Sequence, residues 1–214
     1  MRTLIVTGTD TGIGKTVVSA MLMLALEARY WKPIQSGTED GTDTQRVAAL
    51  TGLPPARFLK ERHILSQPLS PHRAAELDGI EIDPADLDLP EDARANRLIV
   101  EGAGGVLVPI NRTTLQIELF ARWGAPAIVV ARTELGTINH TLLTLEALRR
   151  RGIGVLGVIF VGHSMPDSER TIAEMSNVKR LGRLPILPAL DAASLRDGFA
   201  AHFDAQDFEA ADGG

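Results

Sequence analysis

The 214-residue sequence has no cysteine, which removes disulfides, thiolate zinc sites and any cysteine nucleophile and leaves the redox compartment open. Aromatic residues are scarce, at 4%. No apolar run approaches the ~18 residues that a membrane span needs, so no membrane partner is expected. Positive charge is not in excess either. A formal net charge of −5 offers no basic field to a phosphodiester backbone, and the one dense cationic run, Arg149 to Arg151, falls where a helix ends and suits its dipole. Nucleic acid is accordingly not an expected partner. The first strand pattern begins at Thr3 and leaves no charged-then-apolar leader, so the expected location is the cytoplasm.

Hydrophobic residues at 44% and charged residues at 23% are ordinary globular values, and the length suits one domain with a full core. Short runs rich in Val, Ile and Leu recur at Leu4 to Val6, Leu98 to Val100, Ala127 to Ala131 and Val155 to Val161, as in strands buried on both faces. Val17 to Ala28 and Ile138 to Arg151 space apolar residues at helical intervals. The expectation is a single α/β domain over residues 1–214 with a doubly wound, mostly parallel sheet flanked by helices. Residues 78–97 read as a polar connecting excursion, and residues 205–214, small and acidic, as a frayed tail.

The chemistry starts in the run Leu4-Ile5-Val6-Thr7-Gly8-Thr9-Asp10-Thr11-Gly12-Ile13-Gly14-Lys15-Thr16-Val17. An apolar strand enters a small-residue loop, and the loop opens an apolar-periodic helix. A phosphate needs converging backbone N–H groups, a cation at its terminal oxygens and a hydroxyl for magnesium, and Gly12, Gly14, Lys15 and Thr16 provide them. This is a P-loop, and an ATP- and magnesium-dependent enzyme is the expected class. Five residues rather than the usual four separate Gly8 from Gly14, so Thr9 stands where a glycine is common.

Only four of the 22 basic residues are lysines. Two of them, Lys15 and Lys32, lie in glycine-bearing loops, where a compact ammonium differs from a planar guanidinium in what it can do. Taken alone, Lys32 in Lys32-Pro33-Ile34-Gln35-Ser36-Gly37 could be only a solvated charge at a strand end. Glu101 ends an apolar strand before Gly102-Ala103-Gly104-Gly105, at the carboxyl edge where open parallel sheets bind ligands, and an acid there can hold magnesium. Asp43 in Gly41-Thr42-Asp43-Thr44 fits a helix cap as well as a metal-side carboxylate. Gly136-Thr137-Ile138-Asn139-His140 opens a helix whose free N–H groups suit an anion or simple capping. The five histidines show no metal-ligand spacing, and His72 and His140 read as structural residues.

Jointly, Gly8 to Thr11, Gly14-Lys15-Thr16, Lys32-Pro33 with Ser36-Gly37, Ser70-Pro71-His72, Glu101 to Gly105 and Gly136 to His140 resemble the dethiobiotin synthetase family in order and over nearly the whole chain. The resemblance implies closure of the ureido ring of dethiobiotin from 7,8-diaminopelargonate, carbon dioxide and ATP, with Mg2+, through a carbamate and a carbamic–phosphoric anhydride in biotin biosynthesis. It implies a homodimer. Carried over by position, Lys15, Lys32 and Thr11 would be catalytic, and Thr16, Asp43 and Glu101 would organise magnesium. Gly12, Ile13, Gly14, Lys15, Thr16, Val17, Asp43, Glu101, Gly102, Ala103 and Gly104 would hold the nucleotide phosphates and metal, with Pro185, Ile186 and Leu187 along the base. Ser36, Gly104 and Asn139 would bind the diamine, Asn139 taking its carboxylate tail from the opposite subunit.

The chain departs from the family pattern twice. The crossover from Lys15 to Lys32 is short and has no glycine turn, which predicts a clipped helix. Val161-Gly162-His163 stands where well-known members have Asn-Asp against adenine, which leaves base selectivity open. A partitioning-type ATPase switch needs a signature lysine where this chain has Asp10, a cobyrinate-type amidotransferase needs a cysteine, and a non-catalytic nucleotide-binding module remains an alternative.

Overall fold

The computed structural model describes residues 3–91 and 96–209. Seven strands form one sheet: β1 (Thr3–Gly8), β2 (Arg29–Trp31), β4 (Phe58–Leu59), β6 (Leu98–Gly105), β7 (Ala127–Arg132), β8 (Val155–Val161) and β9 (Arg180–Leu184). Their order is β4-β2-β6-β1-β7-β8-β9, and every neighbouring pair is parallel. The order runs outward in both directions from β1, so the carboxyl edge beside β1 is the crevice where such sheets bind ligands. β3 (Ile34–Ser36) and β5 (His63–Leu65) form a separate parallel pair for which the apolar pattern gave no sign.

Alternation along the strands divides the core into two layers. Leu4, Val6, Tyr30, Ile99, Ile128 and Ile159 pack with α1 (Lys15–Ala25) and α7 (Ala192–His202). Ile5, Trp31, Val100, Val129 and Phe160 pack on the other face with α4 (Gln116–Trp123), α5 (Thr137–Arg150) and α6 (Pro166–Ser176). Helices α2 (Asp43–Thr51) and α3 (Pro71–Asp78) follow β3 and β5. Burial on both faces explains why the strands read as unbroken apolar runs.

The short crossover is resolved at the end of α1, at Ala25 rather than the expected Ala28. The Ala28 N–H bonds the Met23 carbonyl at 3.1 Å, and Glu27, at φ 51°, takes the left-handed position that glycine normally fills in this cap. Three residues thus turn the chain directly into β2. The excursion at 78–97 is anchored by Leu87, which is fully buried and whose carbonyl accepts from Trp123 Nε1 at 2.8 Å; residues 92–95 lie outside those described. Against the expected frayed tail at 205–214, Gln206–Glu209 form a short helix, α8. Phe208 is buried 5.7 Å from the Phe199 ring, because an aromatic side chain gains more from burial than a terminus loses by ordering. Residues 210–214 lie outside those described.

Candidate active site

The loop between β1 and α1 is shaped by glycine. Gly12 and Gly14 have φ 68° and 98°, left-handed values that a side chain would strain. No side chain caps α1, and its first turn carries no acid, so its leading N–H groups suit an anion. Lys15 lies back over its own loop and donates from Nζ to the Asp10 carbonyl at 2.7 Å. Burial, reinforced by the charge of Lys32, lowers its pKa to about 8.

Glu101 is carried by β6 to the carboxyl edge and is 1% exposed. Its two oxygens have different neighbours. Oε2 accepts from Ser19 Oγ at 2.8 Å and from the Tyr30 hydroxyl at 3.0 Å. Oε1 faces Thr16 Oγ1 and Lys32 Nζ, each at 3.1 Å. Asp43 completes the cluster, with Oδ2 2.8 Å from Lys32 Nζ and Oδ1 3.1 Å from Thr16 Oγ1.

The two readings of Asp43 are separated here. The cap of α2 is Thr42, which forms a reciprocal capping box with Gln45. Asp43 is the first helical residue, and its carboxylate is left for the cluster. Its own N–H is held by Gln35 Oε1 at 2.9 Å, tying α2 to the Lys32 loop. Burial opposes the charge of Lys32, but Glu101 and Asp43 outweigh it and raise its pKa. Burial likewise opposes the Asp43 charge, and Lys32 and Thr16 reverse that, holding its pKa low. Both groups are therefore charged at neutral pH.

A hydroxyl and two carboxylates converging beside a phosphate loop are hard oxygen donors, and the space between the carboxylates already accommodates a cation, the Lys32 ammonium. Among the described residues there is no group of three or more His, Asp or Glu that could hold a metal alone. Mg2+ fits such a site, because it keeps waters and shares phosphate oxygens rather than needing an all-protein cage.

These residues line one cavity of about 710 Å³. Of the candidates from sequence it gathers Thr11, Gly12, Gly14, Lys15, Thr16, Lys32, Ser36, Asp43, Glu101, Ala103 and Gly104. The Ser36 hydroxyl is buried without a partner, and a Cβ added to Gly104 would lie 3.2 Å from Thr11 Oγ1, so Gly104 keeps that wall open. Ile13, Val17 and Gly102 do not line the cavity. Ile13 is buried behind the loop against Gly8, Val17 packs against the α1-side core, and Gly102 offers its carbonyl to Lys32 Nζ at 3.1 Å. Asn139, exposed at the start of α5, and Pro185, Ile186 and Leu187 also lie outside it. His72 shares a 3.0 Å hydrogen bond with Ser70, and His140 is exposed without a place in the cavity.

Four supporting residues escaped the sequence reading. Ser19 and Tyr30 hold Glu101, Gln35 holds Asp43, and Gln116 pins the glycine-rich loop by accepting from the Ala103 N–H at 2.5 Å and donating to the Gly105 carbonyl at 3.2 Å. One signal was available: Ser19 follows Thr16 by three residues and shares its helix face. Gln35 and Gln116 lie 8 to 13 residues from their partners but on no shared helix face or strand, and Tyr30 lies 71 residues from Glu101.

A family model described as an AAA domain matches residues 2–194. The ATP-dependent dethiobiotin synthetase BioD of Rhodopseudomonas palustris is 58% identical over 205 residues, which is 96% of each chain. Its namesake from Novosphingobium aromaticivorans is 54% identical over 208 residues, covering 97% of this chain and all of the relative. Among solved structures, the cell-division ATPase MinD of Pyrococcus furiosus superposes with a TM-score of 0.58 at 12% identity, over 98% of this chain and 99% of that one. A ParA family ATPase from Chlorobium tepidum gives 0.52 at 11% identity, over 94% and 98%. At such identities the shared feature is the fold.

Proposed function

The chain belongs to the dethiobiotin synthetase family, and on that premise we propose that it closes the ureido ring of dethiobiotin from 7,8-diaminopelargonate, carbon dioxide and ATP. The observation that carries this reading is the convergence of Lys15, Lys32, Thr16, Asp43 and Glu101 on one cavity at the mouth of the P-loop.

In the proposed sequence, one amine adds to carbon dioxide, forming an N–C bond and releasing a proton, to give a carbamate. A carbamate oxygen then attacks the γ-phosphorus as the bond to the leaving ADP breaks. The second amine attacks the carbonyl carbon of the mixed anhydride, the C–O bond to phosphate breaks, and the ring closes as a proton leaves. Little of this needs covalent help from the protein, which positions the reactants and neutralises charge. The amides after Gly12 and the Lys15 ammonium would bind the β- and γ-phosphates. Lys32 would face both carbamate and γ-phosphoryl oxygens, where developing negative charge meets a fixed cation. Thr11, Ser36 and Gly104 would shape the diamine side. Thr16, Asp43 and Glu101 would hold Mg2+, which would offset the negative charge of the phosphates.

The active unit proposed is a homodimer. Asn139 and the wholly exposed Leu135 beside it stand outside the cavity at the start of α5, so a carboxylate tail held by Asn139 calls for a second chain. A partitioning-type switch shares the fold but needs a lysine where Asp10 stands. The test is phosphate release with diamine and bicarbonate added singly and together: the enzyme reading requires release that depends on both.

A further inference from the structure

Glu101 is the most deeply buried carboxylate of the site, and its environment is asymmetric. Two hydroxyls from fully buried residues, Ser19 and Tyr30, both donate to Oε2, at 2.8 and 3.0 Å. The other oxygen, Oε1, is the one that meets Thr16 and Lys32 at the cavity. We propose that Ser19 and Tyr30 are positioning residues that lock Glu101 Oε2 and thereby dedicate Oε1, as a single fixed ligand, to the cation between the P-loop and Asp43. The inference rests on the reading that Glu101 serves a metal-bound nucleotide.

The local structure explains how the two hydroxyls reach one oxygen. Ser19 follows Thr16 by one helical turn of α1, so both hydroxyls point at the end of β6. Tyr30 lies on β2 in register with Ile99, two residues before Glu101, and shares the α1-side core with Ile99. The length of the phenol ring spans that offset along the sheet. Phe58 on the neighbouring strand packs edge-on against the ring, 6.4 Å away, and holds it in place. Trp31 points to the opposite layer. Tyr30 and Lys32 therefore approach the same carboxylate from one side of β2, one at each oxygen.

A carboxylate restrained in this way can offer one oxygen in a defined direction, which suits the near-octahedral demand of Mg2+ or Mn2+. A free carboxylate would swing or present both oxygens. Partners behind a metal ligand typically contribute about 10–100-fold to metal affinity.

The experiment measures Mn2+ binding to the full chain, by electron paramagnetic resonance, with a non-hydrolysable ATP analogue present. Tyr30→Phe keeps the ring and removes only the hydroxyl, Ser19→Ala removes the other donor, and Glu101→Gln tests the underlying reading. Expected are a Mn2+ affinity lowered about 10-fold or more in Tyr30→Phe and in Ser19→Ala. Analogue affinity in chelator and the circular dichroism spectrum should be unchanged. The magnesium needed for half-maximal turnover should rise in parallel while KM for the diamine stays constant. Unaltered Mn2+ affinity in both variants, alongside clear loss in Glu101→Gln, overturns the positioning role. Unaltered affinity in Glu101→Gln overturns instead the reading on which it rests.

Discussion

Lys32 Nζ lies 2.8 Å from Asp43 Oδ2, and the same ammonium lies 3.1 Å from Glu101 Oε1. The lysine proposed for the phosphoryl group thus occupies the ground between the two carboxylates proposed for the metal. It is the counter-ion of both carboxylates. Lys32→Met should then do two things. Ring closure should fall by about 10³-fold through loss of a fixed cation. Unfolding in chelator should show a loss of roughly 2–4 kcal/mol, because Glu101 is left buried without its positive partner. Lys32→Arg should also be poor, since a planar fork does not replace a compact ammonium. Near-normal turnover in purified Lys32→Met would show that the second loop is not catalytic.

Lys15 predicts a conflict between stability and activity. Its pKa is lowered to about 8, so the folded chain disfavours the charged form. That cost is fully present below about pH 8 and is relieved as pH rises towards the unfolded value near 10.5. Lys15→Met should abolish turnover yet stabilise the nucleotide- and metal-free protein by roughly 1–3 kcal/mol at about pH 7. The gain should shrink towards about pH 10. Thermal melts of both proteins across this range give the answer, and a variant less stable than the parent at neutral pH would contradict the assignment.

The base should be read weakly. Val161 is committed elsewhere, since a Cβ at Gly14 would lie 3.1 Å from its Cγ1, so its side chain backs the P-loop. Both backbone groups of Gly162 are also occupied, the N–H by the Leu184 carbonyl at 3.0 Å and the carbonyl by Arg183 Nη1 at 2.9 Å. That leaves only the contacts proposed for Pro185, Ile186 and Leu187, and shape alone discriminates by roughly 10–200-fold. Ratios of kcat/KM for ATP, GTP and CTP with saturating diamine should stay in that range. A preference for ATP above about a thousandfold would reveal a group that reads hydrogen bonds.

The dimer proposal predicts complementation. Lys15→Ala and Asn139→Ala should each be nearly inactive alone, whereas mixed dimers should regain part of the activity, because one of their two sites would carry neither lesion. A fully active monomer in light scattering under assay conditions would remove the proposal.

The P-loop could be read from the sequence because its glycines, lysine and threonine act through the backbone that joins them. Glu101 was legible because it directly follows the apolar run Leu98 to Val100, although the strand does not end there as expected and continues through it to Gly105. Asp43 was ambiguous, since only the fold shows that Thr42 caps α2 and that Lys32 lies across from the carboxylate. Ser19 and Tyr30 stand 82 and 71 residues from Glu101; helical spacing puts Ser19 on the face of Thr16, but no local pattern marks either hydroxyl as aimed at a carboxylate that far along the chain. Glu27 gave no signal either: its left-handed turn replaces the glycine whose absence marked the crossover as unusual.

The most direct measurement of the central claim is product formation. Purified protein with ATP, Mg2+, 7,8-diaminopelargonate and isotopically labelled bicarbonate should yield dethiobiotin carrying the label in its ring carbonyl, with ADP formed in equal amount. Both should be lost when diamine or ATP is omitted. ATP hydrolysis indifferent to the diamine, with no labelled dethiobiotin by mass spectrometry, would contradict the account and leave a nucleotide-operated switch as the reading.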